Sequence, residues 1–133
     1  MTDRFEDWEY PEILEGILTK YNWMVQGIEG LTLGYKTDIG AFSYINARAQ
    51  VRIEDRVQIG SHCAIYSVST IDGKKGMVLL REGCCIGSHS TIMPGVTIGR
   101  NALVGAHSFV NTDIPDDVIA FGVPAKIIRK REK

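Results

Sequence analysis

An aliphatic residue followed by a small or polar one returns every six positions along most of this chain, and no other feature constrains the fold as strongly. The register shifts after Ile45 and again after Ile65, and the fifth position of each unit is usually small. A period of six is too long for an α-helix and does not continue as the simple alternation of a β-strand. The aliphatic positions are Leu33, Ile39, Ile45, Ile53, Ile59, Ile65, Leu80, Ile86, Ile92, Ile98, Val104 and Val110.

This period predicts a solenoid in which each unit contributes one short strand and one corner, and three units complete a triangular coil. The aliphatic side chain then points into the prism and stacks on its copies in neighbouring coils, which lie roughly 4.8 Å apart. Each coil buries its inner surface only against its neighbours, so stability accumulates along the axis. We therefore predict an all-β solenoid, a left-handed parallel β-helix, over residues 33–133.

One longer insertion interrupts the repeat. Residues 51–65 and 78–92 are near copies that lie 27 positions apart, which equals one coil of 18 residues plus nine inserted ones. The inserted stretch, residues 71–79, contains the turn-forming and charged sequence DGKKG. We therefore expect residues 71–79 to form a loop that leaves the prism at one corner.

The two ends of the chain depart from the repeat. Residues 1–32 are predicted to be an N-terminal cap segment in which Pro11 opens a short helix. This helix would cover one open end of the prism or pack on a neighbouring subunit. At the other end VIAFG predicts a last strand, and a short basic helix or tail follows from Pro124. The apolar side of the predicted N-terminal helix carries Ile13, Leu14, Ile17 and Leu18.

The charge and composition exclude several classes of partner. A net charge of −1 gives no reason to expect nucleic acid or a membrane surface as a partner. No apolar run approaches the roughly 20 residues that span a bilayer. The acidic start MTDRFEDWEYPE lacks the apolar core of a signal peptide, so we expect a cytoplasmic protein. The three cysteines include no CxxC pair and are expected to be buried and reduced.

Three histidines occupy the same place in three successive coils once the insertion is removed. His62, His89 and His107 each stand fourth in their unit, within IGSH, IGSH and VGAH. Stacked imidazoles disfavour simultaneous protonation, so at least one ring would stay neutral and able to act as a general base. The alternative is that these outward corner positions simply tolerate histidine.

Other residues are candidates for ligand binding. Asn46 stands where the repeat favours glycine, and it would either bind a ligand or cap its corner. Thr70 precedes the insertion and Asp72 lies within it, and loops commonly carry site residues, although a solvated turn is the alternative. Lys126 and Arg129 belong to a basic C-terminal stretch whose cations suit phosphate groups or simply form a charged tail.

The segment from residue 86 to residue 130 resembles the C-terminal part of the hexapeptide-repeat acetyltransferases. These include the galactoside, maltose, serine and xenobiotic acetyltransferases and the sugar-nucleotide N-acetyltransferases. The specific pieces of the resemblance are PGVTIG, VGAHSFVNTDIP and GVPAK. The resemblance implies an enzyme that transfers an acetyl group from acetyl-CoA to a small-molecule acceptor. It also implies a homotrimer in which acetyl-CoA lies in the groove between adjacent subunits.

The same resemblance implies which residues contact acetyl-CoA. The backbone of Ser88 and Ala106 would face the pantetheine arm of the cofactor. Two cations match the family positions near the nucleotide end, and one dipeptide replaces the usual Thr-Lys pair. The cations are Lys126 and Arg129, and the dipeptide is Asn111 and Thr112.

One departure from the family pattern concerns the catalytic base. Galactoside and maltose acetyltransferases carry a histidine in a TGHP-like stretch just before the insertion, where this chain has Thr70. His62 is our first choice as a replacement because it lies one coil nearer the loop, and His89 is the second; otherwise the acceptor is an amine that needs less assistance. We therefore expect N-acetylation of an amino sugar or sugar nucleotide, with Asn46 and Asp72 orienting the acceptor amine.

Two other functions remain open. A non-catalytic trimeric scaffold is favoured by the missing histidine, while the retained PGVTIG and GVPAK pieces speak against it. A metal-dependent hydratase is the weaker alternative, since zinc carbonic anhydrases of this solenoid type use two histidines five positions apart. The histidine spacings here are 27 and 18, so we expect no metal site.

Overall fold

The computed structural model describes residues 5–132, which form short β-strands and one 3-10 helix, Ile28–Gly30. Within this range no helix is both long enough and apolar enough to cross a lipid bilayer. In chain order the strands are β1 (Met24–Gln26), β2 (Leu31–Leu33), β3 (Asp38–Ile39), β4 (Tyr44–Asn46), β5 (Val51–Ile53), β6 (Gln58–Ile59), β7 (Ala64–Tyr66), β8 (Val68–Ser69), β9 (Lys74–Lys75), β10 (Val78–Leu80), β11 (Cys85–Ile86), β12 (Thr91–Ile92), β13 (Thr97–Ile98), β14 (Leu103–Val104), β15 (Phe109–Val110), β16 (Val118–Gly122) and β17 (Ala125–Lys130).

The strands build the three faces of a prism. The first face contains β1, β4, β7, β12 and β15, the second β2, β5, β10 and β13, and the third β3, β6, β11, β14, β16 and β17. Successive coils pair in parallel and keep the aliphatic positions in register, as in Ile45 to Ile65, Ile65 to Ile92 and Ile92 to Val110. The predicted all-β parallel solenoid is confirmed.

The core explains both the aliphatic and the glycine positions of the repeat. Ile65, like its counterparts in the neighbouring coils, is fully buried inside the prism. A Cβ atom on Gly60 would lie 2.5 Å from the Ser88 nitrogen, and one on Gly87 would lie 2.5 Å from the Ala106 nitrogen. Any larger residue would therefore push adjacent coils apart at these corners.

The predicted insertion leaves the prism where the first face turns into the second. It is a β-hairpin rather than a loop, because β8 and β9 pair antiparallel. The excursion begins at Val68, earlier than the predicted range 71–79, and the chain rejoins the prism at Val78. Val78 pairs with Val51, so the predicted offset of 27 residues is confirmed.

Residues 11–20 do not form the predicted N-terminal helix; they run as turns and irregular chain. Their N–H groups bond to the first coil instead. The Gly16 N–H donates to the Val25 carbonyl at 2.8 Å, and the Thr19 N–H donates to the Trp23 carbonyl at 2.8 Å. Gly16 has a left-handed φ of 67°, which also interrupts a right-handed helix.

Some apolar residues of the predicted helix contact the core, and others lie on the surface. Ile13 packs against the core cluster, so this segment does cover the open end of the prism. Leu14, Ile17 and Leu18 are exposed. Residues 1–4 of the predicted cap segment and the last residue of the predicted tail lie outside the described range.

The parallel coils begin earlier than residue 33, because β1 already pairs with β4 from Met24 onward. Trp23 precedes β1 and is only 2% exposed. Later coils hold a small residue at the same position, and the first coil has no coil beneath it. The indole of Trp23 therefore fills the open end of the prism. The equivalent small residues are Ser43, Cys63, Ser90 and Ser108.

The chain ends in an antiparallel hairpin, and the predicted basic helix or tail from Pro124 is wrong. The predicted strand VIAFG is confirmed as β16, which adds to the third face beside β14. β17 then returns along β16. The physical reason is the free edge of β16, whose N–H and C=O groups need hydrogen-bond partners that a helix would not supply.

Candidate functional site

Three imidazole rings form a column, the histidine corner, where the third face turns into the first. The ring centroids of His62 and His89 lie 4.9 Å apart at an interplanar angle of 4°, and those of His89 and His107 lie 4.9 Å apart at 14°. Phe42 extends the column in the preceding coil, 5.5 Å from the His62 ring. All three histidines are exposed, and the predicted stacking is confirmed.

The backbone explains why histidine fits this corner. His62, His89 and His107 have left-handed φ angles of 59°, 61° and 59°. Asparagine, aspartate and histidine adopt this conformation more readily than most other residues. Because every coil repeats the same turn, the three side chains project in the same direction. Each histidine N–H donates at 3.0 Å to a carbonyl of the preceding coil, namely that of Ala41, Ser61 or Ser88.

A groove of about 470 Å³ lies along the third face, next to the histidine corner, and we call it the glycine groove. Its lining continues onto Ser61 and Ala106, the chain neighbours of His62 and His107. Glycines from four successive coils form part of its wall and leave the backbone uncovered. They are Gly40, Gly60, Gly87 and Gly105. The groove suits a thin, extended molecule beside the imidazole column.

The predicted cofactor residues do not all border the glycine groove. Ala106 lines it, and Ser88 lies at the same corner, where its carbonyl accepts the His107 N–H at 3.0 Å. Lys126 and Arg129 are exposed on β17, at the C-terminal end of the same face.

Asn111 and Thr112 lie elsewhere. They follow β15 and are exposed where the first face turns into the second. This corner lies across the first face from the histidine corner. A single chain therefore does not bring Asn111 and Thr112 to the glycine groove.

A second cavity, the hairpin pocket, has a volume of about 380 Å³ and lies between the first face and the β8–β9 hairpin. Of the predicted substrate-binding residues, Asn46 and Thr70 line it and Asp72 does not. The full lining consists of Gln26, Tyr44, Asn46, Arg48, Tyr66, Val68, Ser69, Thr70, Ile71 and Met93.

Asn46 caps its corner and also lies in the wall of the hairpin pocket. Its side chain is only 4% exposed, and its Oδ1 accepts the Arg48 N–H at 3.2 Å and the Ser67 hydroxyl at 3.5 Å. Its Nδ2 donates to the Tyr44 hydroxyl at 3.5 Å. The amide thus caps the corner from which the hairpin leaves, while it also forms part of the pocket wall.

Asp72 is a turn residue of the hairpin. Hydrogen bonds from the Ser69 hydroxyl and the Lys74 N–H lower the pKa of the Asp72 carboxyl below its ordinary value. The Lys74 ammonium lies 3.9 Å from the carboxylate. These contacts stabilise the turn that closes β8 and β9, which agrees with the solvated-turn alternative.

Several pocket residues were not among the substrate-binding residues predicted from the sequence. The rings of Tyr44 and Tyr66 lie 5.8 Å apart at 56°, and the Tyr44 hydroxyl donates to the Gln26 side-chain carbonyl. Arg48 also lines the pocket. Strand alternation could have identified the two tyrosines, because residues next to a buried aliphatic position point outward, and they do so at the same place on neighbouring coils.

The repeat and the fold of this chain are similar to those of known proteins. The family profile described as bacterial transferase hexapeptide (six repeats) matches residues 77–112. Over these residues the chain resembles the hexapeptide-repeat transferases. Its fold is similar to that of a galactoside acetyltransferase in complex with coenzyme A, with a TM-score of 0.76, 28% identity, and coverage of 83% of this chain and 60% of that one.

Two further relatives give the same picture. A hexapeptide-repeat acetyltransferase of Vibrio cholerae, complexed with acetyl coenzyme A, has a TM-score of 0.77 at 26% identity and covers 84% of this chain and 66% of that one. The galactoside O-acetyltransferase of Lactococcus lactis is 31% identical over 112 residues, which cover 73% of this chain and 54% of the relative. The chain therefore spans about half the length of the curated relatives it matches.

In this hexapeptide-repeat chain the histidine corner and the hairpin pocket lie at opposite edges of the first face. His62 and Tyr66 stand four residues apart on one coil, which corresponds to about 13 Å along an extended strand. One chain alone does not place an imidazole inside its own hairpin pocket.

The thiols of this hexapeptide-repeat chain are all unpaired. Burial raises the pKa of the Cys63 thiol, and burial also raises that of Cys84. Cys85 is half-buried and lines the glycine groove. Within residues 5–132 no group of three or more His, Cys, Asp or Glu side chains is arranged to hold a metal ion.

Proposed function

We propose that this chain is an acetyltransferase that moves the acetyl group of acetyl-CoA to the amine of a small acceptor, an amino sugar or sugar nucleotide. The observation that carries the proposal is the glycine groove beside three stacked imidazoles. A thin pantetheine arm fits such a groove, and the adjacent rings offer a base for the transfer. The coenzyme A and acetyl coenzyme A complexes of structurally similar proteins support this reading.

The cofactor would extend along the prism axis. Backbone groups at Ser88 and Ala106 would pair with the amides of the pantetheine arm. Lys126 and Arg129, at the C-terminal end of the third face, would bind phosphates of the nucleotide. Asn111 and Thr112, which lie at the far corner of the first face, would reach acetyl-CoA held by an adjacent subunit.

The chemical step needs a base next to the thioester. The acceptor nitrogen attacks the thioester carbonyl carbon, and His62 accepts the proton that the nitrogen loses. The tetrahedral intermediate then expels the coenzyme A sulfur, which leaves as a thiol after taking that proton from the imidazole. His89, stacked 4.9 Å from His62, is the alternative base. Backbone N–H groups of the groove would stabilise the oxyanion.

We propose a homotrimer as the active form, because the histidine corner and the hairpin pocket are separated in one chain. The acceptor would bind in the hairpin pocket of one subunit, against Asn46 and Thr70, with Asp72 holding the hairpin turn. The histidine corner of the next subunit would supply the base. The three unpaired cysteines fit a reducing cytoplasm, where we place the protein.

A non-catalytic trimeric scaffold is the competing function. The observation in its favour is Thr70, which stands where galactoside and maltose acetyltransferases carry their catalytic histidine.

Calorimetric titration with acetyl-CoA separates these functions. We expect the wild type to bind, and a Ser88→Trp variant to lose binding because its indole would obstruct the groove. Lys75→Trp places the same ring on the hairpin, away from the groove, and should bind like the wild type. Absence of wild-type binding at millimolar acetyl-CoA would overturn the transferase and leave the scaffold.

A further inference from the structure

Arg48 is the charged side chain among the residues that line the hairpin pocket. Arg48 is exposed, and two contacts with neighbouring residues fix its position. The Arg48 N–H donates to Asn46 Oδ1 at 3.2 Å, and its Cγ packs over Gly27, where an added Cβ would lie only 2.8 Å away. Among residues 5–132, no carboxylate lies within 4.0 Å of the Arg48 guanidinium.

Two acidic residues lie on the other side of Arg48. Glu15 and Glu29 line an adjoining cavity that Arg48 also borders. The Glu15 oxygens already accept the Gly27 N–H at 2.8 and 3.0 Å and the Ile28 N–H at 3.1 Å. Glu15 therefore attracts the guanidinium without forming a direct ion pair, so a residue that lines both cavities keeps N–H donors that no carboxylate of residues 5–132 occupies.

The rest of the pocket suits a carbohydrate. Tyr44 and Tyr66 present two aromatic rings 5.8 Å apart, and aromatic rings pack against the apolar C–H faces of sugars. The amides of Gln26 and Asn46 and the Ser69 hydroxyl supply hydrogen-bonding groups around these rings. The pocket thus joins a sugar-binding wall to one available cation.

We propose that the acceptor is an anionic amino sugar whose carboxylate or phosphate group binds Arg48. This inference rests on the proposed acetyl transfer and names the substrate class of the same pocket. A guanidinium binds either group through two parallel N–H donors, a geometry that a neutral hydroxyl cannot match. Arg48 then sets both the charge preference and the orientation of the sugar.

Direct binding tests this proposal without relying on catalysis. Calorimetric titrations, in the absence of acetyl-CoA, compare glucosamine, glucosamine 6-phosphate and muramic acid, which carries a carboxylate. We expect at least one anionic sugar to bind roughly ten- to a hundredfold more tightly than glucosamine, the range that a charge-assisted hydrogen bond gives. The tighter of the two anionic sugars identifies phosphate or carboxylate as the preferred group.

Variants locate the effect. Arg48→Gln should remove the preference and leave the affinity for glucosamine unchanged. Arg52→Gln, which removes an exposed arginine from β5 on the second face, should keep the wild-type preference. Equal affinities for all three sugars, or no binding of any of them at millimolar concentration, would overturn the proposal. Since acetyl-CoA is absent, failure of acetyl-CoA binding would overturn only the proposed transfer.

Discussion

At the residue scale, the same coil position is filled differently at the end of the prism than in its middle. Ser43, Cys63 and Ser90 are small because another coil lies on each side of them. Trp23 has no coil beneath it, only the N-terminal segment, and a small residue there would leave a void between that segment and the core. A large aromatic side chain therefore closes the prism where the repeat begins.

We expect Trp23→Ala to reduce the free energy of unfolding by about 3–5 kcal/mol, the usual cost of removing a buried tryptophan side chain. Trp23→Ser restores the residue type of later coils and should cost as much, because the ring fills the open end. Urea denaturation followed by circular dichroism measures both changes. Trp8→Ala removes a half-buried tryptophan as the control and should cost clearly less. If Trp23→Ser is as stable as the wild type, Trp23 is not an end cap.

At the element scale, the N-terminal segment is held by one carboxylate as well as by backbone hydrogen bonds. Glu15 accepts the N–H groups of Gly27 and Ile28, at the start of the 3-10 helix. These hydrogen bonds lower the pKa of the Glu15 carboxyl below its ordinary value of 4.5. A lowered pKa means that the contact is fully present above pH 4.5 and is lost as the pH falls through the lower folded-state value.

We expect the amide resonances of Gly27 and Ile28 to shift on acidification, with a midpoint below pH 4.5, in nuclear magnetic resonance spectra of the wild type. Glu15→Gln should abolish this titration. Glu12→Gln, a neighbouring exposed glutamate, should leave the titration in place. A midpoint at or above 4.5 would show that the carboxylate does not bind these N–H groups in solution.

At the scale of the whole molecule, the histidine corner and the hairpin pocket are too far apart in one chain to act together. An active site built from both therefore requires two subunits. If one subunit supplies the base and the next supplies the pocket, two inactive variants complement each other when mixed. A site is then active only where an intact histidine corner meets an intact pocket.

We expect the His62→Ala/His89→Ala double variant and Tyr66→Ala to be inactive alone, and a refolded equal mixture to recover about one quarter of wild-type activity, the random-mixing value for a cyclic trimer. Light scattering should give about three times the 14.7 kDa mass of one chain for each protein. Absence of recovery in mixed particles of this size would place base and pocket in one subunit.

The sequence by itself determined the coils, their register across the insertion and the stacking of His62, His89 and His107. These features repeat in every coil and depend only on adjacent coils, so a six-residue pattern encodes them completely. The six-residue spacing did not predict burial at every aliphatic residue. Ile71 follows Ile65 by six residues, yet it lies in the hairpin and is 99% exposed, while Ile65 is fully buried.

Only the tertiary structure decided the two ends and the hairpin pocket. At each end a coil lacks a neighbour, so its edge N–H and C=O groups need other hydrogen-bond partners. The six-residue pattern does not predict these partners, as when the Gly16 N–H donates to the Val25 carbonyl. Residues 11–20, whose apolar pattern predicted a helix, therefore form irregular chain. The basic segment that was predicted as a helix or tail forms β17. The pocket gathers Gln26, Tyr44, Arg48 and Tyr66 from three successive coils and from outward positions, where the repeat constrains only shape. Their proximity therefore appears only after the chain has folded.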